Sequence, residues 1–342
     1  MKIDKYNEFW KADYELMGKY YPDLSSEEKD VYVAKKHEYQ LKYNFAHMEF
    51  FSFNLGRMIK EGREESISEF YPRKEQAELY YKVNKKEIME LCLDKYASYL
   101  RLKKYYKRKA CAYNPNPNEF VKSYYDGYDW KCDISTFLEE HSSYIVKPLD
   151  GNSGIGIRIV KDGSITLENL LEDYPGGFIL EELLEQVDEL AKFHPKSINT
   201  VRIETYNTGN DILIKHPCLR VGRGDSIVDN AHSGGIFAAI NPDTGIVLSA
   251  ISSDAVIYEK HPDTNIKFNG YKIPQWDEVC KVAKDIAKEL PGLTISGMDF
   301  SLTDKGWKLI EINYNPHIIY QEATQKGIRK EIEDFLETIS VK

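Results

Sequence analysis

The sequence predicts an α+β protein in which a helical N-terminal region precedes a C-terminal half rich in strands. In the first hundred residues, apolar and aromatic side chains recur at helical intervals, and only Pro22 and Pro72 interrupt the pattern. From Tyr144 onward, short apolar segments alternate with turn sequences. NPDTG at 241–245 and TDKG at 303–306 are typical of hairpin turns, so we expect an antiparallel sheet.

The N-terminal region carries clear helix signals. Ser25 is followed three residues later by Glu28, which is the capping-box pattern. An apolar series at helical spacing comes next: Val31, Val33, Tyr39, Tyr43 and Phe45. A further helix is expected over residues 85–109. We expect the aromatic side chains to pack between helices, with a stacking platform for bases as the alternative.

The remaining elements follow from apolar runs and turn residues. Strands are expected at 144–148, 156–161, 177–181, 200–207, 211–221, 234–241, 245–251, 295–302 and 307–312. Helices are expected at 166–173, 276–290 and 322–339. AYNPNPNEF at 112–120 is rich in proline and asparagine, and a loop is expected there.

Composition argues against several classes of protein. The net charge is −9, which is unfavourable for broad nucleic-acid binding. No apolar run approaches the roughly 18 residues of a membrane helix, and the charged N-terminus lacks the apolar core of a signal peptide. We therefore expect a cytoplasmic protein without membrane insertion. The five cysteines have no CxxC spacing, so we expect reduced thiols rather than a disulfide framework or a cysteine zinc site.

One basic segment departs from this average. RLKKYYKRKA at 101–110 contains six cations. A solvated helix face is the expected interpretation. The alternatives are a surface that faces phosphates and, more remotely, a nucleic-acid binding segment.

A lysine and a glycine-rich turn form the first chemical motif. In VKPLDGNSGIG, Lys147 lies on a predicted strand, and Gly151, Gly154 and Gly156 follow in GxxGxG spacing. This spacing is neither the dinucleotide fingerprint nor a Walker A loop, and a strand follows it instead of a helix. A hairpin tip of this kind exposes backbone N–H groups to phosphate, and Lys147 can reach the same anion. A plain β-hairpin is the alternative.

The second motif is a set of three oxygen donors on neighbouring strands. Asp299 precedes the hairpin turn, and Glu311 and Asn313 follow it. Because Glu311 and Asn313 are two residues apart, they face the same side of the strand. Such a set suits Mg²⁺, which binds a few protein oxygens and keeps other positions for water and phosphate. Polar residues on a solvated sheet face are the alternative.

Two further segments carry polar residues near predicted strands. GGFILEELLEQ at 176–186 could place a flat ring beside its backbone near Glu182 and Leu183, with Glu185, Gln186 or Asp188 accepting ribose hydroxyls. Arg202 and Arg220 lie on predicted strands, where guanidinium groups would stabilise charge on a transferring phosphoryl group. Surface salt bridges are the alternative for each arginine. Four histidines are weaker acceptor-site candidates, since a structural role is expected for each: His194, His216, His232 and His317.

In this order, the motifs resemble those of the ATP-grasp superfamily. FHPKSINTVRIETY and IEINYNP are similar in particular to the sugar-transfer-associated ATP-grasp family, which is linked to polysaccharide biosynthesis. The resemblance covers about Asp94 to the C-terminus, and LDKYASYLRLKKYYKR resembles the lead-in helix of that family. Together with the helical pattern before it, the resemblance divides the chain into a helical extension over 1–85, a lead-in over 86–143 and an ATP-grasp domain over 144–342. The lid subdomain would cover about 144–182 and the C-terminal subdomain about 183–342.

The resemblance also implies site roles. ATP would lie between the two subdomains, with Mg²⁺ or alternatively Mn²⁺. The implied metal ligands are Asp299, Glu311 and Asn313, and the implied catalytic residues are Arg202 and Arg220. The implied nucleotide contacts are Lys147, Asn152, Ser153, Gly154, Ile155, Gly156, Glu181, Glu182, Leu183, Leu184, Gln186 and Asn199.

The implied activity is that of a carboxylate–amine ligase, which forms an acyl phosphate and then an amide bond. The acid and the amine would be small molecules, peptides or sugar derivatives. The alternatives are an ATP-grasp kinase that phosphorylates a hydroxyl, and a non-catalytic nucleotide-binding regulator or scaffold. The resemblance leaves the N-terminal helices unexplained, and we expect them to form part of the acceptor site, to bind a protein partner or to form a dimer.

Overall fold

The computed structural model describes residues 8–149, 154–230 and 233–340. The chain forms two compact units. One consists of Met1–Leu79 with Thr324–Lys342, and the other of Tyr80–Ala323. Among the described helices, none has the length and apolar character that a membrane crossing requires. The domain boundaries that the sequence suggested at residues 85 and 143 remain predictions.

The first unit is helical. Its helices are α1 Glu8–Tyr20, α2 Ser26–Tyr43, α3 Glu49–Ser52, α4 Leu55–Lys60, the 3-10 helix Glu64–Glu69, the start of α5 Arg73–Val83, and α13 Arg329–Ser340. The predicted capping box is present, because Ser25 Oγ accepts from Glu28 N at 3.2 Å and Glu28 Oε2 accepts from Ser25 N at 2.8 Å. Phe53 and Phe70 are buried and stacked, as expected for packing aromatics. Val31 is exposed, contrary to its place in the predicted apolar series, because Tyr32 and Val33 turn inward instead.

The second unit begins with helices and a small sheet. Helices α6 Lys86–Leu93 and α7 Lys95–Tyr106 precede strand β1 Ala110–Tyr113, a 3-10 turn Lys122–Tyr124 and α8 Trp130–Glu140. Strands β2 Tyr144–Pro148, β3 Arg158–Val160 and β4 Phe178–Glu182 complete an antiparallel sheet in the order β1-β4-β2-β3. Helix α9 Leu167–Asp173 lies between β3 and β4 in the chain. Residues from α8, α9 and the sheet share one core, including Phe137, Leu170 and Val146.

A seven-stranded antiparallel sheet forms the rest of this unit. After the short helix α10 Asp188–Ala191 come β5 Thr200–Asn207, β6 Ile212–Val221, β7 Ile236–Ile240, β8 Val247–Ser252 and β9 Ile257–Tyr258. Helix α11 Trp276–Glu289, β10 Ile295–Thr303, β11 Gly306–Asn313 and α12 Tyr320–Thr324 follow. The strand order is β11-β10-β5-β6-β7-β8-β9, so the C-terminal hairpin lies beside β5. The apolar face of α11 joins the main core through residues such as Val279 and Ile286.

Three predicted elements differ from the structure. The helix expected at 85–109 is divided at Asp94, whose carboxylate accepts from Tyr96 N and Ala97 N and starts α7. The helix expected at 322–339 is divided after α12, where Gln325 has a positive φ of 56°. Part of the expected loop at 112–120 belongs to β1, which pairs with β4.

Candidate nucleotide and metal site

Four neighbouring strands, β11, β10, β5 and β6, carry the predicted metal and arginine residues of the large sheet. Asp299 on β10 lies opposite Arg202 on β5 and opposite Glu311 on β11. Asn313 lies opposite Gly297, two residues further along both strands. Side chains two residues apart on a strand share a face, so the three oxygen donors are neighbours.

Two arginines hold Asp299. Arg202 makes a bidentate pair with it, with Nε 2.7 Å from Oδ1 and Nη2 2.7 Å from Oδ2. Arg220 adds a bond from Nη1 to Oδ2 at 2.5 Å. Burial alone would raise the pKa of Asp299, but the two guanidinium groups lower it to about 2. The carboxylate is therefore charged at neutral pH, and the predicted catalytic arginines are oriented by it.

The side-chain oxygens of Asp299, Glu311 and Asn313 are suitable ligands for a hard divalent cation. An ionised carboxylate has about four lone-pair sites, and the arginines use three of those on Asp299. Within the described part of the chain, the buried Nδ2 of Asn313 has no hydrogen-bond partner. Since rotation of an amide exchanges its nitrogen and oxygen, Asn313 can present an oxygen at that position. One amide and two carboxylates make an oxygen set suited to Mg²⁺.

Gly297 permits a close approach that completes the arginine contacts. A Cβ at this position would overlap Pro316, so the chain after β11 can return across β10 only because residue 297 has no side chain. The carbonyl oxygen of Pro316 then accepts from Arg202 Nη1 at 2.8 Å. Arg202 is thereby held on both sides, by Asp299 and by the returning chain.

Lys147 belongs to a second buried ion cluster. Its Nζ lies 2.7 Å from Glu181 Oε2, and the same oxygen accepts from Arg108 Nη2 at 2.9 Å and Nε at 3.2 Å. Burial alone would raise the pKa of Glu181, but Arg108 and Lys147 lower it to about 2. Glu181, predicted as part of the adenine-binding hinge, therefore uses its side chain to hold two cations.

Arg108 is a site residue that sequence reasoning missed. It is buried, although the basic segment at 101–110 was expected to be a solvated helix face. Besides Glu181 on β4, it donates to the carbonyl oxygens of Leu309 at 2.6 Å and Ile310 at 3.3 Å on β11. One side chain thus joins the small sheet to the large one. In the sequence, the one indication of such a role was the alternative interpretation of residues 101–110 as a surface that faces phosphates.

The glycine loop reaches the arginine cluster. Asn152 and Ser153 lie outside the described residues, as does Gly151. Gly154 and Gly156 both have φ near +77°, which requires glycine. A Cβ on Gly154 would lie 2.5 Å from Asn230 Nδ2, and Asn230 in turn accepts from Arg220. Ile155, between the two glycines, is exposed.

The hinge residues follow β4. Glu182 accepts from Lys109 N at 2.7 Å, and Leu183 and Leu184 leave the strand partly exposed. Gln186 is engaged by the chain itself, because it donates to the carbonyl of Ser197 at 2.6 Å and accepts from Asn199 N at 3.1 Å.

One further residue that was predicted to contact the nucleotide, Asn199, lies inside the protein. Asn199 is fully buried, and its Nδ2 donates to the carbonyl oxygens of Leu190 at 2.9 Å and His194 at 3.0 Å. Its amide hydrogens are therefore not available to a nucleotide in this conformation. Among the candidate histidines, His194 and His216 are buried and His317 is exposed, while His232 lies outside the described residues.

The comparison with family models identifies the chain. The model described as sugar-transfer associated ATP-grasp matches residues 74–337. The protein belongs to this family. The match confirms the ATP-grasp fold that the order of motifs predicted, and it covers the small sheet, the large sheet and the residues of both ion clusters.

Several solved structures are similar to this chain at low sequence identity. A structure of the ATP-grasp ligase PsnB complexed with minimal precursor is 13% identical, covers 75% of this chain and has a TM-score of 0.44. This chain spans 63% of PsnB, less than two thirds of its length. D-alanyl-alanine synthetase A from Vibrio cholerae is 12% identical, with 76% of this chain and 68% of that chain covered and a TM-score of 0.43. D-Alanine-D-Alanine Ligase from Helicobacter pylori is 13% identical, with coverage of 73% and 58% and a TM-score of 0.38. No curated protein matches the sequence.

Proposed function

We propose that this protein is an ATP- and Mg²⁺-dependent ligase that activates a carboxylate as an acyl phosphate and joins it to an amine. The observation that carries the proposal is the array of Asp299, Glu311 and Asn313 beside Arg202 and Arg220 in an ATP-grasp chain. Mn²⁺ is the alternative ion, because it accepts the same oxygen donors.

The nucleotide would lie between the glycine loop and the large sheet. Lys147 and the loop at 151–156 would bind the phosphates, and the backbone from Glu181 to Leu184 would bind the adenine. Because the side chain of Gln186 is engaged by residues 197–199, the exposed carboxylates of Glu185 and Asp188 are better placed to accept the ribose hydroxyls.

The reaction would proceed in two displacements. A carboxylate oxygen of the acid attacks the γ-phosphorus of ATP, and the bond from that phosphorus to the bridging oxygen breaks, which releases ADP. The amine nitrogen then attacks the acyl carbon, inorganic phosphate leaves, and the new amide nitrogen loses a proton.

The chain's own residues would position these groups and balance their charge. Mg²⁺, when bound, would neutralise charge on the phosphates. Arg220 Nε is buried and has no acceptor among the described residues, so it has a hydrogen to donate to a phosphoryl oxygen. Arg202 is fixed by Asp299 and Pro316, which supports a role in holding the acyl phosphate in place.

The name of the family supports a substrate class. Because the family is described as sugar-transfer associated, we propose that the acid or the amine is a sugar derivative and that the product serves polysaccharide biosynthesis in the cytoplasm. We assign the N-terminal extension, residues 1–85, to binding a protein partner or a second copy of the chain.

Glu311→Gln gives the cleanest test. Glu311 lies opposite Asp299, and the isosteric change replaces a charged metal ligand by a neutral amide, which binds Mg²⁺ more weakly. We expect ADP release to fall at least tenfold across a panel of acids and amines, while the exposed control Glu337→Gln keeps full turnover. Full turnover in Glu311→Gln would overturn the metal assignment.

The product separates the ligase from the kinase. Hydroxylamine converts an acyl phosphate to a hydroxamate, so the ligase is expected to give a hydroxamate when the amine is omitted. A stable phosphoester instead would establish the kinase, and ATP binding without turnover over the whole panel would favour the regulator.

A further inference from the structure

A cluster of two histidines and an aspartate lies outside the nucleotide site. His194 lies in the segment between α10 and β5, and His261 and Asp263 follow β9. One ligand atom from each of these residues lies within 4.8 Å of the other two. Both imidazole rings are buried, while the side chain of Asp263 is 41% exposed.

Backbone carbonyls orient both rings. His194 Nε2 lies 2.9 Å from the carbonyl oxygen of Ser226, and His261 Nε2 lies 2.7 Å from that of Gly222. A carbonyl oxygen only accepts, so Nε2 carries the hydrogen on each ring. The lone pair of each neutral ring is therefore on Nδ1. Metal-binding histidines are oriented in this way, by a hydrogen bond from the other ring nitrogen to a carbonyl or carboxylate.

The contacts of the Nδ1 atoms leave room for a cation. His194 Nδ1 lies 3.8 Å from Asp263 Oδ2, which is beyond hydrogen-bond length. His261 Nδ1 accepts a hydrogen bond of 3.3 Å from Asp263 N, which binding of a cation would replace. Asp263 Oδ2 also accepts from Gly224 N at 2.5 Å, a bond that leaves the carboxylate further acceptor sites.

We propose that His194 Nδ1, His261 Nδ1 and the Asp263 carboxylate bind a divalent transition-metal ion, with Zn²⁺ as the principal candidate. Zinc lies about 2.0–2.2 Å from nitrogen and oxygen ligands, so at tetrahedral angles two of its ligands are about 3.4 Å apart. His194 Nδ1 and Asp263 Oδ2, which are 3.8 Å apart, are close to this distance already. The other separations are within 4.8 Å, so the side chains of the cluster would move closer together when the ion binds. Water would take the fourth position from the solvent side.

The ion would join the segment that carries His194 to the segment that carries His261 and Asp263. Gly222 lies against the ring of His194, where a Cβ would be 2.5 Å from Cδ2. The chain from Gly222 leads to Asp229 and Asn230, which contact Arg220. The ion would thus be structural, and it would fix the loop that carries the neighbours of Arg220.

Cobalt binding tests the assignment. Untagged full-length protein, treated with a chelator and then dialysed, is titrated with Co²⁺, whose tetrahedral complexes absorb visible light strongly. We expect one Co²⁺ per chain, displaced by one Zn²⁺. His194→Gln and His261→Gln each keep a donor near Nε2 and remove the Nδ1 ligand. We expect each variant to bind Co²⁺ at least tenfold more weakly.

One further test variant and two control variants distinguish this site from others. Asp263→Asn is expected to weaken binding without disturbing the buried rings, and it keeps the test valid if a histidine variant fails to fold. Asp225→Asn changes an exposed carboxylate near the cluster and is expected to leave the titration unchanged. Glu311→Gln is also expected to leave it unchanged, which separates the site from the nucleotide site. Absent binding, or equal binding by all variants, would overturn the proposal.

Discussion

Replacement of Glu181 by glutamine is expected to destabilise the protein by about 3 kcal/mol. The change leaves Arg108 and Lys147 without their shared carboxylate in a buried position. Breaking a buried pair by removing one partner costs about 3–5 kcal/mol. The pKa gives a similar magnitude, because a fall from 4.5 to about 2 corresponds to about 3 kcal/mol.

The same pairing predicts a pH dependence. The pKa of Glu181 is lower in the folded state than in the unfolded state, so the unfolded state binds the proton more readily. The stabilisation is therefore complete at neutral pH and decreases as the pH falls from about 5 toward 2. Asp299 contributes in the same pH range, so the informative quantity is the difference between wild type and Glu181→Gln at each pH.

Urea unfolding followed by tryptophan fluorescence measures this difference. Trp130, Trp276 and Trp307 all lie in the unit that contains Glu181. Glu140→Gln is the matched control, because it removes an exposed partner of Lys109 and is expected to leave the free energy of unfolding nearly unchanged. A loss below about 1 kcal/mol in Glu181→Gln, or a loss that is equal at pH 7 and pH 3, would refute the reasoning.

Three further changes probe the nucleotide site. Lys147→Met keeps the length of the side chain and leaves Glu181 paired with Arg108, so we expect at least tenfold weaker ATP binding by calorimetry with a folded protein. Gly154→Ala places a Cβ at positive φ and against Asn230, so we expect a loss of about 1–2 kcal/mol in transition-state stabilisation, measured as kcat/KM for ADP release. Asn313→Leu removes a buried polar atom that has no partner, so we expect unchanged thermal stability but a higher Mg²⁺ concentration for half-maximal turnover.

Each of these has a result that would contradict it. Unchanged ATP affinity in Lys147→Met would make the lysine a structural counter-ion only. Unchanged kcat/KM in Gly154→Ala would mean that the loop does not approach Asn230 during turnover, and Gly270→Ala, at positive φ in open space, supplies the control for backbone strain. An unchanged Mg²⁺ requirement in Asn313→Leu would remove that residue from the ligand set.

The sequence predicted most of the strands and the shared sheet face of Asp299, Glu311 and Asn313, because both depend on local rules. Alternation along a strand places Glu311 and Asn313 on one face, and the hairpin turn at 303–306 places Asp299 beside them. The pairing of Asp299 with Arg202 could not be predicted, since it requires that β10 lie beside β5, which are far apart in the chain. Strand order is set by tertiary packing and not by the strands' own residues.

Other differences between the sequence-based predictions and the structure also arise from tertiary packing. Arg108 resembles its neighbours in a basic segment, and only the position of β4 and β11 distinguishes it as buried. The break before α13 follows from the approach of Gly327 to Glu69, where a Cβ would overlap the backbone. Gln186 and Asn199 look like ligand-binding amides in sequence, yet they satisfy carbonyl and N–H groups of the irregular segment between β4 and β5.

The position of Arg108 has a mechanical consequence. Its guanidinium is attached at one end to two carbonyls of the large sheet and at the other to Glu181 on the small sheet. Any relative movement of the two sheets at this point would have to stretch or break these bonds. Loss of Arg108 would therefore uncouple the two sheets here, even with Lys147 and Glu181 still paired.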